Sequence, residues 1–565
     1  MQIRVSILYS AVCGVLLLAA LSSCKKILDA EPKDVLDEKN MYRNVFDADA
    51  AVIGVYGKLM GLAEQYVVLN ELRGDLATVT TNADANLQQI DAHRVQDGNP
   101  YASPRPFYEV ILNCNDVLHN LDIMLRDKKL KVEEYNMRYS DIATLRCWLY
   151  LQLGIHFGKV PYVTDEFSDI AALETISSMP RLEFNDLLDV LIKQMEALPY
   201  MQPYASSASL VTTVDGYVTN KFFINKQIMA GQLYLWKGDY GKAAVAFKTV
   251  MEMGGTGDLN TNRVTYGSKA DNNDLAVGYV RYREWDENML VDNNSQGWRS
   301  IFARSEDKLF GYEWIWYLPF NENFKPVDPF IKLFSNRGGR YLLQPSQYAI
   351  KNWNSQKQKN DFSYDARGKK FSWRMLNDQP VIMKYLYNYL DEKSFLPTNL
   401  FAKNGKWFLY RAASLHLDFA EAANRDGHRP LAYALLNQGL PTIPNKITNE
   451  GNPYNFDARK SDNPRITGDW CNNAGIRGRA NLYSPDVIGD STLFIEDQVV
   501  SEAGLELAYE GRRWPDLLRI ALRRNDPAFL ADKIYNKLKD QDNPAALKVR
   551  DDLMNMGNWY LPFKF

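Results

Sequence analysis

The sequence predicts a mainly α protein in which helical pairs build a scaffold and long loop-rich, partly β insertions build its front. Three observations carry this. Several long stretches repeat apolar residues at helical spacing and end at Gly or Pro. Two of them are helix–turn–helix units with small residues on the facing sides. Between and after them run two segments, 253–401 and 441–481, rich in Gly, Asn, Asp and aromatic residues and without a helical period. The 565 residues, 46% of them hydrophobic, suffice for a large core or for about two or three domains. A net charge of −3 with no basic stripe leaves no footprint for nucleic acid.

The N-terminus, "MQIRVSILYSAVCGVLLLAALSSC", has one positive charge at Arg4 and an apolar run from Ile7 to Leu21. That run is short for a membrane span, which needs ~20 residues. It reads as an export signal over residues 1–23. Leu21-Ser22-Ser23-Cys24 resembles a bacterial lipobox, which implies lipidation of Cys24 and a lipid anchor with no spanning helix. Residues 24–40 then form a polar tether. Cys114, Cys147 and Cys471 are scattered, so they make no disulfide framework and are expected as buried small residues. Five His in no ligand-spaced pair give no zinc site.

Residues 41–252 read as an N-terminal helical region. Val45 to Met60 has helical spacing with Asp47 or Asp49 as cap. Residues 76–106 read as a loop. Phe107 to Leu125 and about Val132 to Phe157 are helices, the second stopped by Gly158 and Pro161. "INKQIMAGQLYLWKGDYGKAAVAFKTVM" is a helical pair with Ala243, Ala244 and Phe247 facing its partner, and it looks like a tetratricopeptide (TPR) repeat. The C-terminal region, 253–565, divides into loop-rich 253–401, helical 402–440, an insertion 441–481 and helical 482–565. Within it "YEWIWYLPF" alternates as a strand, with Trp314 and Trp316 on one face. Leu409 to Gln438 looks like a second TPR pair.

The stretch "SEAGLELAYEGRRWPDLLR" raises a sharper question. Glu502, Glu506 and Glu510 recur every four residues, so a helix would stack them on one face, where they repel. Arg512, Arg513 and Arg519 are the expected bidentate partners. Gly511 suits a helix end, Pro515 the first turn of the next helix, and Asp516 that helix's positive end. This is a structural brace. Glycoside hydrolysis would instead need two carboxylates across an open cleft.

These pieces together resemble the SusD/RagB family of outer-membrane nutrient-binding lipoproteins of Bacteroidetes. The resemblance rests on the lipobox and "CKKILDAEPKD", on "NELRGDLAT", and on "TLRCWLYLQLGIHFGKVPYVT". It rests further on "YDARGKK", "IMKY", "IRGRANL" and the Glu-Gly-x-Arg-Trp-x-Asp-Leu of the brace. The chain departs from the family pattern at Ala503 and Ser414 and in the long segment before Ile476. Membership implies a SusD-like fold with a loop-built ligand face and no catalytic activity, so the protein would not be an enzyme. It implies a place on the outer membrane facing the cell exterior, as the lid of a SusC-like TonB-dependent transporter. It implies an oligosaccharide ligand, with an oligopeptide as the alternative; a surface glycoside hydrolase and a protein-binding TPR assembly factor are the other readings.

Stacking on sugar rings calls for aromatic faces beside Asn, Gln and Arg. Trp285 and Trp298 lie in polar loops with Asn293, Asn294 and Arg299 nearby, and they are the leading candidates. Trp353 is a third. The segment after Asp75 contributes Asn82 and Tyr101 but no Trp. Trp148, Trp236, Trp314 and Trp316 read as core. No cofactor is expected. Asp271-Asn272-Asn273-Asp274 could hold a structural calcium ion, but its spacing fails the EF-hand pattern and a solvated turn is the default.

Overall fold

The computed structural model describes residues 42–165, 172–251, 298–304, 313–358, 361–437, 475–480 and 482–565. Its principal helices are α1 (Val45–Met60), α2 (Arg105–Arg126), α3 (Val132–Phe157), α4 (Phe184–Glu196), α5 (Lys226–Lys237) and α6 (Tyr240–Met251). They continue with α7 (Ala412–Arg425), α8 (Arg429–Leu436), α9 (Ser491–Glu506), α10 (Arg513–Arg524), α11 (Pro527–Lys539) and α12 (Ala546–Leu553). Strands are short: β1 (Ala77–Val79), β2 (Thr213–Val214), β3 (Tyr217–Val218), β4 (Trp314–Phe320), β5 (Leu343–Pro345), β6 (Trp373–Leu376), β7 (Gln379–Ile382) and β8 (Gly405–Arg411). The mainly helical class follows from the sequence as expected. No single helix among the described residues is long and apolar enough to cross a membrane.

Asn44 caps α1: its side chain accepts the N–H groups of Phe46 and Asp47 from an extended backbone. Neither Asp47 nor Asp49 is the cap. Asp47 pairs with Arg43 at the surface, and Asp49 is buried, where it takes Arg138 and Ser209. Helix α3 stops at Gly158, whose φ of 70° few other residues adopt. Residues 76–106 are not a loop. They hold β1, a helix at Ala85–Asp91 and a 3-10 turn at Pro100–Ala102. Asp84 caps that helix, and Leu87 and Ile90 bury its single apolar ridge; seven residues are too few for a clear periodic signal.

The two TPR-like pairs, α5–α6 and α7–α8, are helical hairpins, and α6 packs on α7. Units far apart in the sequence are thus neighbours, with α9 laid across α7 and α8. Small residues set the spacing inside the first pair. A Cβ on Gly231 would lie 2.6 Å from Phe247. Gly231→Leu should therefore wedge α5 from α6 and cost roughly 1–3 kcal/mol, read as a lowered urea midpoint, whereas Val245→Leu on the exposed side of α6 should leave the midpoint unchanged.

The described residues form five two-stranded antiparallel sheets: β1–β5, β2–β3, β6–β7 and β4–β8, and a short pairing of Val160–Pro161 with Arg181–Leu182. In β4 every residue but Pro319 is buried, as is all of β8. Both faces of β4 are therefore inside. Trp316 packs edge-on against Trp148 of α3, and Trp314 donates its ring N–H to the carbonyl of Ile301. This pair of strands ties the loop-rich front to the helical scaffold.

Candidate functional site

The brace is an ion lattice sealed inside the protein. Helix α9 ends at Glu506, so Glu510 lies in the turn beyond it instead of on the same helical face. The partners also differ from those expected. The glutamate row is neutralised by Arg367, Arg411, Lys384 and Arg477. Arg367 meets Glu502 at 2.6 Å and Glu506 at 2.9 Å. Arg411 meets Glu313, Glu506 and Glu510 at 2.5, 2.8 and 2.7 Å. Lys384 bonds Glu510 at 2.7 Å, and Arg477 reaches Glu502 at 3.2 Å. The chain reverses at Gly511, φ 80°, which aims the later arginines elsewhere. Arg512 pairs with Asp418, Arg513 with Asp75, and Arg519 with Glu421 and Asp516. Burial alone would raise the Glu421 carboxyl, but Arg519 and Arg523 hold it well below the usual range.

Glu71 enters this lattice from the N-terminal half. One of its oxygens accepts the backbone N–H groups of Gly511, Arg512 and Arg513, and the other accepts that of Tyr509. Burial pushes its carboxyl up to about 7 against the pull of those donors. No substrate reaches any of these carboxylates: Glu502, Glu506 and Glu510 are 2%, 1% and 4% exposed.

Several ligand candidates prove to be core. Trp298 is fully buried against Phe371 and beneath the Arg367 guanidinium. Arg299 is also buried; it bonds the Glu392 carbonyl and covers the rings of Tyr387 and Phe395. Trp353 sits in the helix Gln347–Asn354 with its ring N–H on the Leu505 carbonyl. None of the three offers a face to a ligand. Trp285, Asn293 and Asn294 lie outside the described residues, as do Cys24 and the calcium candidate Asp271–Asp274. Asn82 is exposed and bonds the carbonyl of Arg340; half-buried Tyr101 donates to Glu64, which also takes Lys332.

A different place has the shape of a binding site. The β2–β3 hairpin, the end of β4 and the start of β8 enclose a cleft of about 410 Å³, within the usual range for small-molecule sites. Its aromatic wall is Tyr217, Phe222, Phe320 and Phe324, the last 70% exposed. Asn321 and Asn404 supply amides, while Asn388, which also lines the cleft, donates to the Ala303 carbonyl and accepts from Lys406. The Asn321 and Asn404 oxygens accept the backbone N–H groups of Asn323 and Glu322, which fixes both side chains and leaves their NH2 groups to donate. Among the described residues Asp215 is the one charged residue lining the cleft. Behind Gly405 lies Asp328, whose carboxyl burial pushes up to about 7. The cleft therefore offers rings and neutral amides.

The SusD family model matches residues 320–563, which contain β8 and most of the brace, though not Glu71, Asp75 or Glu313. Over that stretch, less than half of the chain, the sequence matches the SusD family. The SusD-like protein P2 of Formosa agariphila is 24% identical over 238 residues, 41% of this chain and 43% of that protein; the match thus spans under half of the relative's length. A SusD superfamily protein from Bacteroides vulgatus ATCC 8482 superimposes with a TM-score of 0.57 at 15% identity, covering 88% of this chain and 93% of that one. Surface glycan-binding protein A from Bacteroides uniformis gives 0.57 at 16% identity, over 91% and 95%. A SusD-like carbohydrate binding protein from Bacteroides fragilis NCTC 9343 gives 0.56 at 16% identity, over 86% and 88%. At these identities the likeness is one of fold.

The sequence did carry one signal for the cleft. "TVDGYV" has Asp-Gly between alternating residues, and Asp215 and Gly216 both take positive φ, 50° and 83°, as a tight hairpin turn requires. Phe324 had no such signal. It follows Asn321, Glu322 and Asn323 in an irregular stretch, and only the fold shows that it stands out from the surface beside Phe320.

Proposed function

We propose that this protein is a non-catalytic, SusD-family glycan-binding lipoprotein of the outer-membrane surface. It acts as the lid of a SusC-like TonB-dependent transporter and is anchored through Cys24. The cleft between β2–β3 and β4–β8 carries the reading. Aromatic faces there can lie on the apolar face of a sugar ring while fixed Asn amides bond its hydroxyls. Among the described residues Asp215 is the one carboxylate lining the cleft, whereas a glycosidase places two facing each other. The fold neighbours described as surface glycan-binding and carbohydrate binding support the same class.

Calorimetric titration of the chain from Lys25 with neutral oligosaccharides and short peptides tests this. Binding of one glycan class, weakened about tenfold or more in Phe324→Ala, is expected, since tenfold is about 1.4 kcal/mol of lost stacking. Glycan binding indifferent to Phe324 would move the site elsewhere, and peptide binding alone would favour oligopeptide import. Co-purification of the lipidated protein with a large barrel protein tests the transporter partnership.

A further inference from the structure

Arg73 closes the π-helical turn Val68–Leu72 and is 2% exposed. The guanidiniums of the brace each face a carboxylate. That of Arg73 has none within 4 Å among the described residues. One terminal nitrogen stands 3.2 Å from Nδ1 of His156, the other donates to the Trp559 carbonyl, and the plane lies 3.9 Å from the centre of the Trp514 ring. Those partners are neutral; burial and Arg73 itself hold His156 well below its ordinary pKa, hence uncharged. Of the five N–H groups of a guanidinium, the Nε–H is one of those without an acceptor among the described residues. Burial pulls the group down to about 9, so it stays protonated at neutral pH. A buried cation without a counter-charge is costly unless something supplies one.

The surroundings offer a place for it. Arg73 forms the floor of a pocket of about 300 Å³, walled by Ile90, His93, Val95, Leu553, Asn558 and Tyr560. The pocket lies between the N-terminal segment and the C-terminal tail, and it shares no residue with the cleft at β4–β8. Its wall also carries the exposed Asp552. That rim carboxylate disfavours doubly charged anions such as phosphate and tolerates a singly charged one. A planar carboxylate also matches the guanidinium edge.

We propose that this pocket binds a small carboxylate-bearing molecule, its carboxylate on the open edge of Arg73 and its body against Ile90, Val95 and Leu553. The carboxylate comes from an acidic sugar or from a peptide C-terminus, and two probes separate these sources. Glucuronate represents the first and hippurate the second; glucose and hippuramide are their uncharged counterparts. Calorimetry and thermal melting of the chain from Lys25 should show binding of at least one acid and of neither counterpart. Asn558→Asp adds a second rim carboxylate at an exposed position and should weaken binding about tenfold or more; because it also removes the amide donor to the Asp552 carbonyl, the comparison is made on affinity at a temperature where the variant is folded. Asp552→Asn removes the rim charge and should strengthen binding several-fold. Arg73→Gln should abolish binding wherever it folds. Equal binding of acid and counterpart, silence with both acids, or affinities that ignore both rim substitutions would overturn the proposal.

Discussion

Arg411→Met is expected to cost at least about 3–5 kcal/mol, the range for removing one partner of a buried ion pair. The guanidinium is fully buried and touches three carboxylates, Glu313, Glu506 and Glu510, as well as the Glu506 carbonyl. Methionine keeps much of the volume but none of the charge, so the variant leaves excess negative charge where water cannot enter. Arg367 and Lys384 still face Glu506 and Glu510, which keeps the loss finite. Urea unfolding reads the effect, and Arg411→Met with Glu313→Gln should recover part of it. A loss below about 1 kcal/mol, typical of exposed pairs, would refute the brace.

Glu71→Ala comes next in size. The carboxylate satisfies four backbone N–H groups of the reversal at 509–513. Each buried donor left without an acceptor costs about 1–3 kcal/mol, so a total of about 3 kcal/mol or more is expected even if water fills part of the gap. Glu71→Gln should lose less, because its amide oxygen can still take the three donors that share one Glu71 oxygen. The pH response distinguishes the two forms. Unfolded Glu71 ionises near its ordinary 4.5 and folded Glu71 near about 7. Its contribution is therefore fullest below 4.5 and declines as pH rises through about 7. Glu71→Gln cannot ionise and should lack that decline, which urea midpoints between pH 5 and pH 8 would reveal.

Local grammar made much of the scaffold legible. The bounds of α1 match the periodic stretch from Val45 to Met60, and Gly158 ends α3 where its neighbours said it should. The two TPR-like pairs were visible as pairs, but their mutual packing was not, since nothing in either sequence names the other. The brace residues were recognisable by type, yet their partners Arg367, Lys384 and Arg411 come from segments more than ninety positions away. A helix pattern reports what shares a face and is silent on what faces it. Trp298 misled for a related reason. "DNNSQGWRS" is polar around it, yet the ring turns inward onto Phe371. The cleft was the least legible part, because Phe222, Phe324 and Asn404 meet only after three separate segments converge.

The reach of Glu71 has one more consequence. Its acceptors serve N–H groups about 440 residues downstream, and Asp75 meets Arg513 across 438. A ribosome must therefore release nearly the whole chain before either carboxylate finds its donors. Until then the turn Val68–Leu72 and the residues just after it carry two acids whose partners are still to be made. The same dependence makes the last fifty-odd residues a check on completeness: a chain cut short before Tyr509 leaves Glu71 and Asp75 without these partners.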